Sequence, residues 1–207
     1  MAQYGFHYDG TRCTGCKTCM LACKDYHNLP GDVAFRQVYE YGNGEWEKDA
    51  AGAWSCTTQV YYLSEACNHC DSPACFAACS QGAIVKDEDT GLVYIDEEKC
   101  VNCGACAEAC PYGIPKADAE KGVYVKCDGC KDRVAQGKKP ICVEACPLRA
   151  LDFGDIEQLR SDFGDVAAIA PLPGPSQTNP NIVITEPKNA RPIDDTQGAV
   201  LNAGELV

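Results

Sequence analysis

The sequence predicts a small α+β protein made of short strands and single helical turns around four groups of cysteines. Of the 17 cysteines, sixteen fall into these groups and only Cys56 is left over. Alternating apolar runs of strand length stand between the groups. At 207 residues the chain has room for one domain or two small ones, and for only a modest apolar core.

The regular elements can be predicted in chain order. Alternating runs predict short strands that lead into cysteine loops, at residues 4–8, 59–63, 92–95 and 123–125. Two short segments, Ala105–Ala109 and residues 141–145, precede the last cysteine of a group and read as helical turns. Ile156, Leu159 and Phe163 recur at helical spacing, which predicts a surface helix over residues 155–163.

The four groups are variants of one pattern. The first and third have two, two and three residues between successive cysteines, the second widens its middle gap to four, and the fourth widens it to eleven. Proline follows the last cysteine of the third and fourth groups. This repetition implies an internally duplicated chain. The groups are Cys13, Cys16, Cys19 and Cys23; Cys67, Cys70, Cys75 and Cys79; Cys100, Cys103, Cys106 and Cys110; and Cys127, Cys130, Cys142 and Cys146.

This spacing is typical of [4Fe–4S] clusters. A loop with thiolates two residues apart can wrap three corners of an iron–sulfur cube while its backbone N–H groups point at the sulfurs. In two-cluster bacterial ferredoxins the last cysteine of each run, followed by proline, ligates the other cluster. The helical turns at Ala105–Ala109 and residues 141–145 would carry that last ligand across the module.

Two other uses of cysteine compete with this interpretation. A disulfide scaffold is typical of short cysteine-rich secreted chains, but the cysteine count is odd and three thiols crowd within seven residues. Zinc also takes repeated close cysteine pairs, but a zinc site has no use for a third cysteine three residues later. Two complete runs of the ferredoxin spacing favour iron.

Charge and hydropathy exclude some classes of protein. The formal charge of −12 argues against nucleic acid as a partner. No run approaches the roughly 18 apolar residues of a membrane span. The first residues, MAQYGFHYDG, lack a basic stretch followed by an apolar run, so we expect no secretory signal. No phosphate loop or catalytic triad order stands out, so we expect no bond-making chemistry by this chain alone.

A few features outside the groups could matter. Residues 121–149 carry seven Lys or Arg against three acids, which predicts a solvated face, a counter-charge to a cluster or a contact for an acidic partner. His69 could replace a cysteine ligand in some cluster types, but a packing role or contact with a ligand is the simpler prediction. His7 and His27 have no motif around them. We expect Cys56 to be a buried free thiol.

Three long stretches resemble the iron–sulfur (beta) electron-transfer subunit of the dimethyl sulfoxide reductase family of molybdopterin oxidoreductases. They read YGFHYDGTRCTGCKTCMLACKDYHNL, YYLSEACNHCDSPAC and KCDGCKDRVAQGKKPICVEACPLRALDFG. The tail sequence APLPGPSQTNPNIVI is similar too, so the resemblance covers nearly the whole chain.

The resemblance implies two bacterial-type 2[4Fe–4S] ferredoxin-like modules, one inserted in the other. The outer module would comprise residues 1–30 and 119–160, and the inner module residues 59–118. The implied ligands are Cys13, Cys16, Cys19 and Cys146 for cluster 1; Cys23, Cys127, Cys130 and Cys142 for cluster 2; Cys67, Cys70, Cys75 and Cys110 for cluster 3; and Cys79, Cys100, Cys103 and Cys106 for cluster 4. Related nitrate reductase subunits have Trp at the place of Cys103 and hold a three-iron cluster, so four complete cubes are expected here.

The resemblance also implies the function and partners. The chain would relay single electrons between a membrane anchor subunit that oxidises quinol and a molybdopterin catalytic subunit, in anaerobic respiration. It would be held at the membrane by these partners, on the periplasmic face after export with a twin-arginine signal on the catalytic subunit; a cytoplasmic location is the alternative. A free-standing polyferredoxin, or a dehydrogenase subunit passing electrons the other way, would be the alternative functions.

Two segments lie outside the modules. Residues 31–58 form an insertion with Trp46 and Trp54, for which core packing is the simplest prediction and contact with a partner the alternative. The tail, residues 161–207, has six prolines and no cysteine. We expect this tail to be extended and to dock on a partner rather than to form a core.

Overall fold

A computed structural model describes residues 2–207 as a mixed α/β chain of small sheets and short helices. The strands are β1 (Tyr4–Asp9), β2 (Gln37–Asn43), β3 (Trp46–Lys48), β4 (Trp54–Cys56), β5 (Gln59–Glu65), β6 (Ile84–Lys86), β7 (Val93–Ile95), β8 (Lys116–Asp118), β9 (Val123–Val125), β10 (Leu151–Asp155), β11 (Ile182–Thr185) and β12 (Ala199–Val200). The helices are α1 (Thr18–Tyr26), α2 (Ala74–Ala78), α3 (Ala105–Ala109), α4 (Lys131–Val134), α5 (Ile141–Glu144) and α6 (Ile156–Phe163). Within the described residues, no helix is long and apolar enough to span a membrane.

One three-stranded sheet joins distant parts of the chain. Its order is β10-β1-β11, with β1 antiparallel to β10 and parallel to β11. Phe6 faces Phe153 on one side and Ile182 on the other, and all three side chains are buried. The N-terminal strand, the segment after the last cysteine group and the tail therefore share one core.

A second three-stranded sheet, β12-β2-β5, is built from the insertion, the run before the second cysteine group and the end of the tail. Tyr41 pairs with Tyr61 at its centre, and both rings are buried. The remaining strands form the two-stranded hairpins β3-β4, β6-β7 and β8-β9. Every strand of these hairpins has three residues.

The predicted regular elements are confirmed within a residue or two at each end. β1, β5, β7 and β9 lie at the four predicted runs, and α3 and α5 at the two predicted helical turns. The surface helix is α6, whose N-terminus is capped by Asp155: its carboxylate accepts hydrogen bonds from the N–H groups of Glu157 and Gln158 at 3.0 and 3.2 Å. The two-module arrangement stays a prediction.

The tail differs from its prediction. It is extended, but its strands β11 and β12 complete both three-stranded sheets, and Ile169 and Leu172 are buried in the main core. The Asn202 side chain also accepts from Glu40 N–H and donates to Val38 O, both at 2.9 Å. The expectation that the tail forms no core was therefore wrong, because the consecutive apolar residues Ile182, Val183 and Ile184 pair with the open edge of β1 and are buried. Its docking on a partner stays a prediction.

Two further expectations were wrong. Trp46 and Trp54, for which core packing was predicted, lie on the β3-β4 hairpin and are 65% and 61% exposed. Cys56 pairs with Trp46 on the same hairpin and is exposed rather than buried. This hairpin has only two strands, and every residue of both strands is exposed, so neither face is covered.

Candidate metal centres

Four cysteines from distant parts of the chain line one hollow at the end of the first sheet. They are Cys13, Cys16, Cys19 and Cys146, and the apolar wall includes Tyr8, Val38 and Leu151. Backbone and hydroxyl groups face the sulfurs: Ala150 N–H donates to Cys146 Sγ at 3.3 Å, and Ser64 Oγ lies 3.4 Å from Cys19 Sγ. We call this hollow site one.

Site two comprises Cys23 and three cysteines of the last group, Cys127, Cys130 and Cys142, all of them buried. α1, which carries Cys23, packs against α5, which carries Cys142. Burial raises the pKa of Cys23, and the neighbouring thiols of Cys127, Cys142 and Cys130 raise it further. Gly129 N–H donates to Cys127 Sγ at 3.5 Å.

Cys67, Cys70 and Cys110 lie close enough to Cys75 to affect its ionisation, and we call these four cysteines site three. Burial and the proximity of Cys67, Cys110 and Cys70 raise the pKa of Cys75 to about 12. Burial would also raise the pKa of Cys67, but the charge of Lys126 and contacts with His69 lower it to about 5. Lys126 and His69 therefore act on the Cys67 thiol in the opposite direction to burial.

Site four is a hollow lined by Cys79, Cys100, Cys103 and Cys106, with Ile84, Ile95 and Tyr124 as its apolar wall. α2 and α3 pack against each other beside it. Ala83 N–H donates to Cys79 Sγ at 3.3 Å, and Tyr124 N–H donates to Cys100 Sγ at 3.4 Å. Cys103 is exposed, as is Cys16 in site one.

The loops between ligands curl because several residues adopt the left-handed backbone region. Asn102 and Gly104, on either side of Cys103, have φ values of 57° and 81°. Gly129 has φ of 74°, and an added Cβ would lie 2.8 Å from a Leu92 methyl carbon, so only glycine fits there. These turns bend the chain sharply beside the ligand cysteines.

The four sites fit [4Fe–4S] clusters by the chemistry of their donors. Each offers four thiols, and backbone N–H groups point at the sulfurs in every one of them. Several thiolates gathered in an apolar place repel one another, so iron bound between them would stabilise the deprotonated form that cluster ligation requires. The spacing within each group is local, so the sequence alone names all sixteen cysteines as candidate ligands, and their assignment to clusters stays a prediction.

Sequence reasoning missed a buried arginine near sites one and two. Arg36 is 2% exposed, stacks over the Phe6 ring and donates from Nη1 to Ser64 O and Ser64 Oγ at 3.2 and 3.1 Å. Its Nε and Nη2 groups have no hydrogen-bond partner among residues 2–207. It faces the thiols of Cys142 and Cys19, so the unpartnered N–H groups fit sulfur acceptors of bound clusters.

The histidines lie in different places. His27 Nε2 is 3.5 Å from Cys130 Sγ, a contact that no sequence motif indicated. His69 is fully buried, and its Nδ1 accepts from Val93 N–H at 2.9 Å, so it packs beside ligands as predicted. His7 stacks on Phe163 at 3.8 Å between ring centres and lies at none of the four sites.

Two known families of iron–sulfur domains match parts of the chain. A 4Fe-4S dicluster domain matches residues 58–156, and a 4Fe-4S binding domain matches residues 11–28. With four groups of thiols on the fold, these matches define a ferredoxin-type protein that binds [4Fe–4S] clusters.

The particular family follows from full-length relatives. The chain is 56% identical over 204 residues to the B subunit of anaerobic dimethyl sulfoxide reductase from Escherichia coli (strain K12), an alignment that covers 99% of this chain and 98% of the relative. The corresponding subunit of Haemophilus influenzae is 52% identical over 206 residues, with 100% of both proteins covered. Thiosulfate reductase electron transfer subunit PhsB of Salmonella typhi is 33% identical over 157 residues, 75% of this chain and 78% of the relative. The protein belongs to the family of anaerobic dimethyl sulfoxide reductase B subunits, as the resemblance implied.

Proposed function

We propose that the chain relays single electrons through four [4Fe–4S] clusters between a quinol-oxidising membrane anchor subunit and a molybdopterin catalytic subunit that reduces a dimethyl sulfoxide-like substrate. The observation that carries this proposal is the set of four four-thiol sites in a chain whose full-length relatives are named as the B subunit of that reductase. Each bound cluster would supply one-electron chemistry by cycling between two oxidation states.

The proposed ligand sets follow the four sites. Site one would hold cluster 1 and site two cluster 2, so the first and last cysteine groups exchange their final ligands. Site three would hold cluster 3 and site four cluster 4, with the same exchange between Cys110 and Cys79. The proximity of Cys23 to Cys127, Cys130 and Cys142, expressed in its raised pKa, supports this exchange. The exchange ties each module together through both of its clusters.

The proposed path of electron transfer runs between site one and site four. Sites one and four each contain an exposed cysteine, Cys16 and Cys103, whereas the cysteines of site two are all buried. An exposed apolar side chain lies at each terminal hollow, Leu148 at site one and Val101 at site four. Electrons must pass to partner subunits at the surface, so these two ends are the proposed contacts with the partners.

Between site one and site four, the role of the protein would be to bind the clusters and shield them from water. Cysteine thiolates would hold the iron, backbone N–H groups would stabilise the negative sulfurs, and the apolar walls would exclude water. In the proposed location, partner subunits hold the chain at the outer face of the membrane after twin-arginine export with the catalytic subunit. A cytoplasmic complex is the alternative, and fractionation of periplasm from cytoplasm distinguishes the two.

Co-expression with the two partner subunits tests the function. We expect the three proteins to elute together in size-exclusion chromatography, a quinol analogue to reduce the clusters, and dimethyl sulfoxide to reoxidise them. A stable solitary chain that never joins the partners would favour a free polyferredoxin carrier. Clusters reduced only from the catalytic side would favour a dehydrogenase-like direction.

The substitution Cys103→Ser tests site four. We expect it to convert one cube into a three-iron cluster, with loss of about one iron of about sixteen, because a serine hydroxyl is a poor iron ligand and Cys103 is the exposed corner of its site. Low-temperature electron paramagnetic resonance and iron analysis measure the change. The matched control is Cys56→Ser, which removes an exposed thiol outside the four sites and should leave the spectrum unchanged. A Cys103→Ser spectrum identical to that of the control would contradict the assignment.

A further inference from the structure

A buried lysine lies between site two and site three. Lys126 is 4% exposed and directly precedes Cys127, a ligand of site two. Its Nζ is 3.2 Å from Cys67 Sγ, a ligand of site three. It also donates to Cys127 O at 2.7 Å and to Val93 O. One side chain therefore contacts a ligand residue of each of two neighbouring sites.

The contacts of Lys126 match those of a charged ammonium group. An ammonium has three donors and no acceptor, and Nζ faces three acceptors: one sulfur and two carbonyl oxygens. Among these partners the Cys67 sulfur is the one that would carry negative charge when it binds iron as a thiolate. Burial of a cation is costly without an opposing charge, so the lysine is compensated chiefly by the thiolates around it.

His69 is a second basic residue between site two and site three. Its backbone N–H donates to Cys67 Sγ at 3.5 Å, and its ring Nδ1 accepts from Val93 N–H. The ring Nε2 is buried without a hydrogen-bond partner among residues 2–207 and lies 3.3 Å from the position of a Cβ built on Gly129, in the loop between Cys127 and Cys130. Two basic side chains thus fill the space between site two and site three.

A fixed positive charge beside a cluster favours its reduced state, because reduction adds a negative charge and the interior screens poorly. We propose that the positive charge of Lys126 raises the reduction potential of cluster 3, and to a smaller extent that of cluster 2. This inference rests on the proposed function. The larger effect falls on cluster 3 because Nζ contacts a ligand sulfur there and only a carbonyl oxygen at site two.

The test is a redox titration of the co-expressed complex, followed by low-temperature electron paramagnetic resonance. Lys126→Met removes the charge, Lys126→Gln keeps a hydrogen-bond donor without charge, and Lys126→Arg keeps the charge. We expect the two neutral variants to lower the equilibrium constant for reduction of one cluster at least tenfold. For a one-electron couple this lowers the reduction potential by about 59 mV. Lys126→Arg should restore most of that shift. Lys121→Met is the matched control, because Lys121 pairs with Glu97 at the surface.

The outcomes separate this inference from the proposed function. Wild-type complex with its full iron content and neutral variants with unchanged potentials would overturn the role of Lys126 and leave the function standing. A wild-type chain that lacks the clusters or does not join its partners would overturn the function. If both neutral variants lose iron while Lys126→Arg retains it, the charge serves cluster assembly rather than potential, and the proposal is overturned. Equal shifts in Lys126→Arg and Lys126→Met would overturn it as well.

Discussion

Removal of iron will unfold most of the chain. The buried apolar groups that form the core include the cysteines themselves: one contains Cys23, Cys67 and Cys127 beside Val33 and Phe35, and another contains Cys75 and Cys106. The longest helix among the described residues has nine residues and no sheet there exceeds three strands, so little regular structure can persist alone. Since cluster binding supplies much of the folding free energy in such domains, its loss should be close to total loss of structure.

Chelation of iron under anaerobic conditions, with circular dichroism and amide hydrogen exchange, measures this effect. We expect loss of most amide protection in both three-stranded sheets, and recovery when iron and sulfide are restored. Recovery is the control, because it separates loss of the clusters from damage to the thiols. An iron-free chain that keeps its protected amides and a cooperative thermal transition would contradict this expectation.

Cys23→Ser will empty site two and leave site one loaded. Cys23 belongs to the first cysteine group by sequence, yet it lies beside Cys127, Cys130 and Cys142. All four cysteines of the site are buried, so loss of one ligand leaves an unpaired polar hydroxyl in an apolar place as well as an open iron corner. We expect the loss of about four irons of about sixteen, one complete cluster.

Comparison of three substitutions tests whether Cys23 belongs to site two rather than to site one. Cys23→Ser and Cys142→Ser should remove the same signal from the electron paramagnetic resonance spectrum, because both residues are assigned to site two. Cys19→Ser should remove a different one, although Cys19 precedes Cys23 by a single helical turn. If Cys23→Ser and Cys19→Ser instead gave the same spectrum, the exchange of final ligands between groups would be excluded.

Most of what could be predicted from the sequence came from patterns within a few neighbouring residues. The cysteine groups were found because most neighbouring cysteines within a group are separated by only two or three residues, and the strands β1, β5 and β9 because their apolar residues alternate over a short local run. The sheet partners of those strands were not predicted. β1 pairs with β11 through Phe6 and Ile182, which are far apart along the chain, and no local pattern encodes that pairing.

The burial of individual charged side chains was the second feature that the sequence did not predict. Lys126 looks like one of seven basic residues in a solvated stretch, and Arg36 is an ordinary arginine in the insertion. Both are buried: Lys126 directly follows strand β9, Arg36 directly precedes strand β2, and both lie against cysteine sites. The position of Lys126 directly before a ligand cysteine was the one signal in the sequence, and the general prediction of a counter-charge near a cluster was made from the same stretch.

The tryptophans and the tail reverse a common expectation. Large aromatic residues in a short insertion usually enter a core, but the two-stranded β3-β4 hairpin gives Trp46 and Trp54 no second layer to pack on. A proline-rich tail usually stays outside, but Ile182, Val183 and Ile184 fill the open edge of β1. The exposure of the tryptophans thus follows from the missing second layer, and the burial of the tail from the free edge of β1.

Metal analysis of the anaerobically purified complex tests the central claim most directly, since all else depends on four iron–sulfur cubes held by sixteen cysteines. Four cubes predict about sixteen irons and about sixteen acid-labile sulfides in this subunit, with no stoichiometric zinc. About eight irons in this subunit, or zinc in place of iron, would contradict the assignment of four cubes.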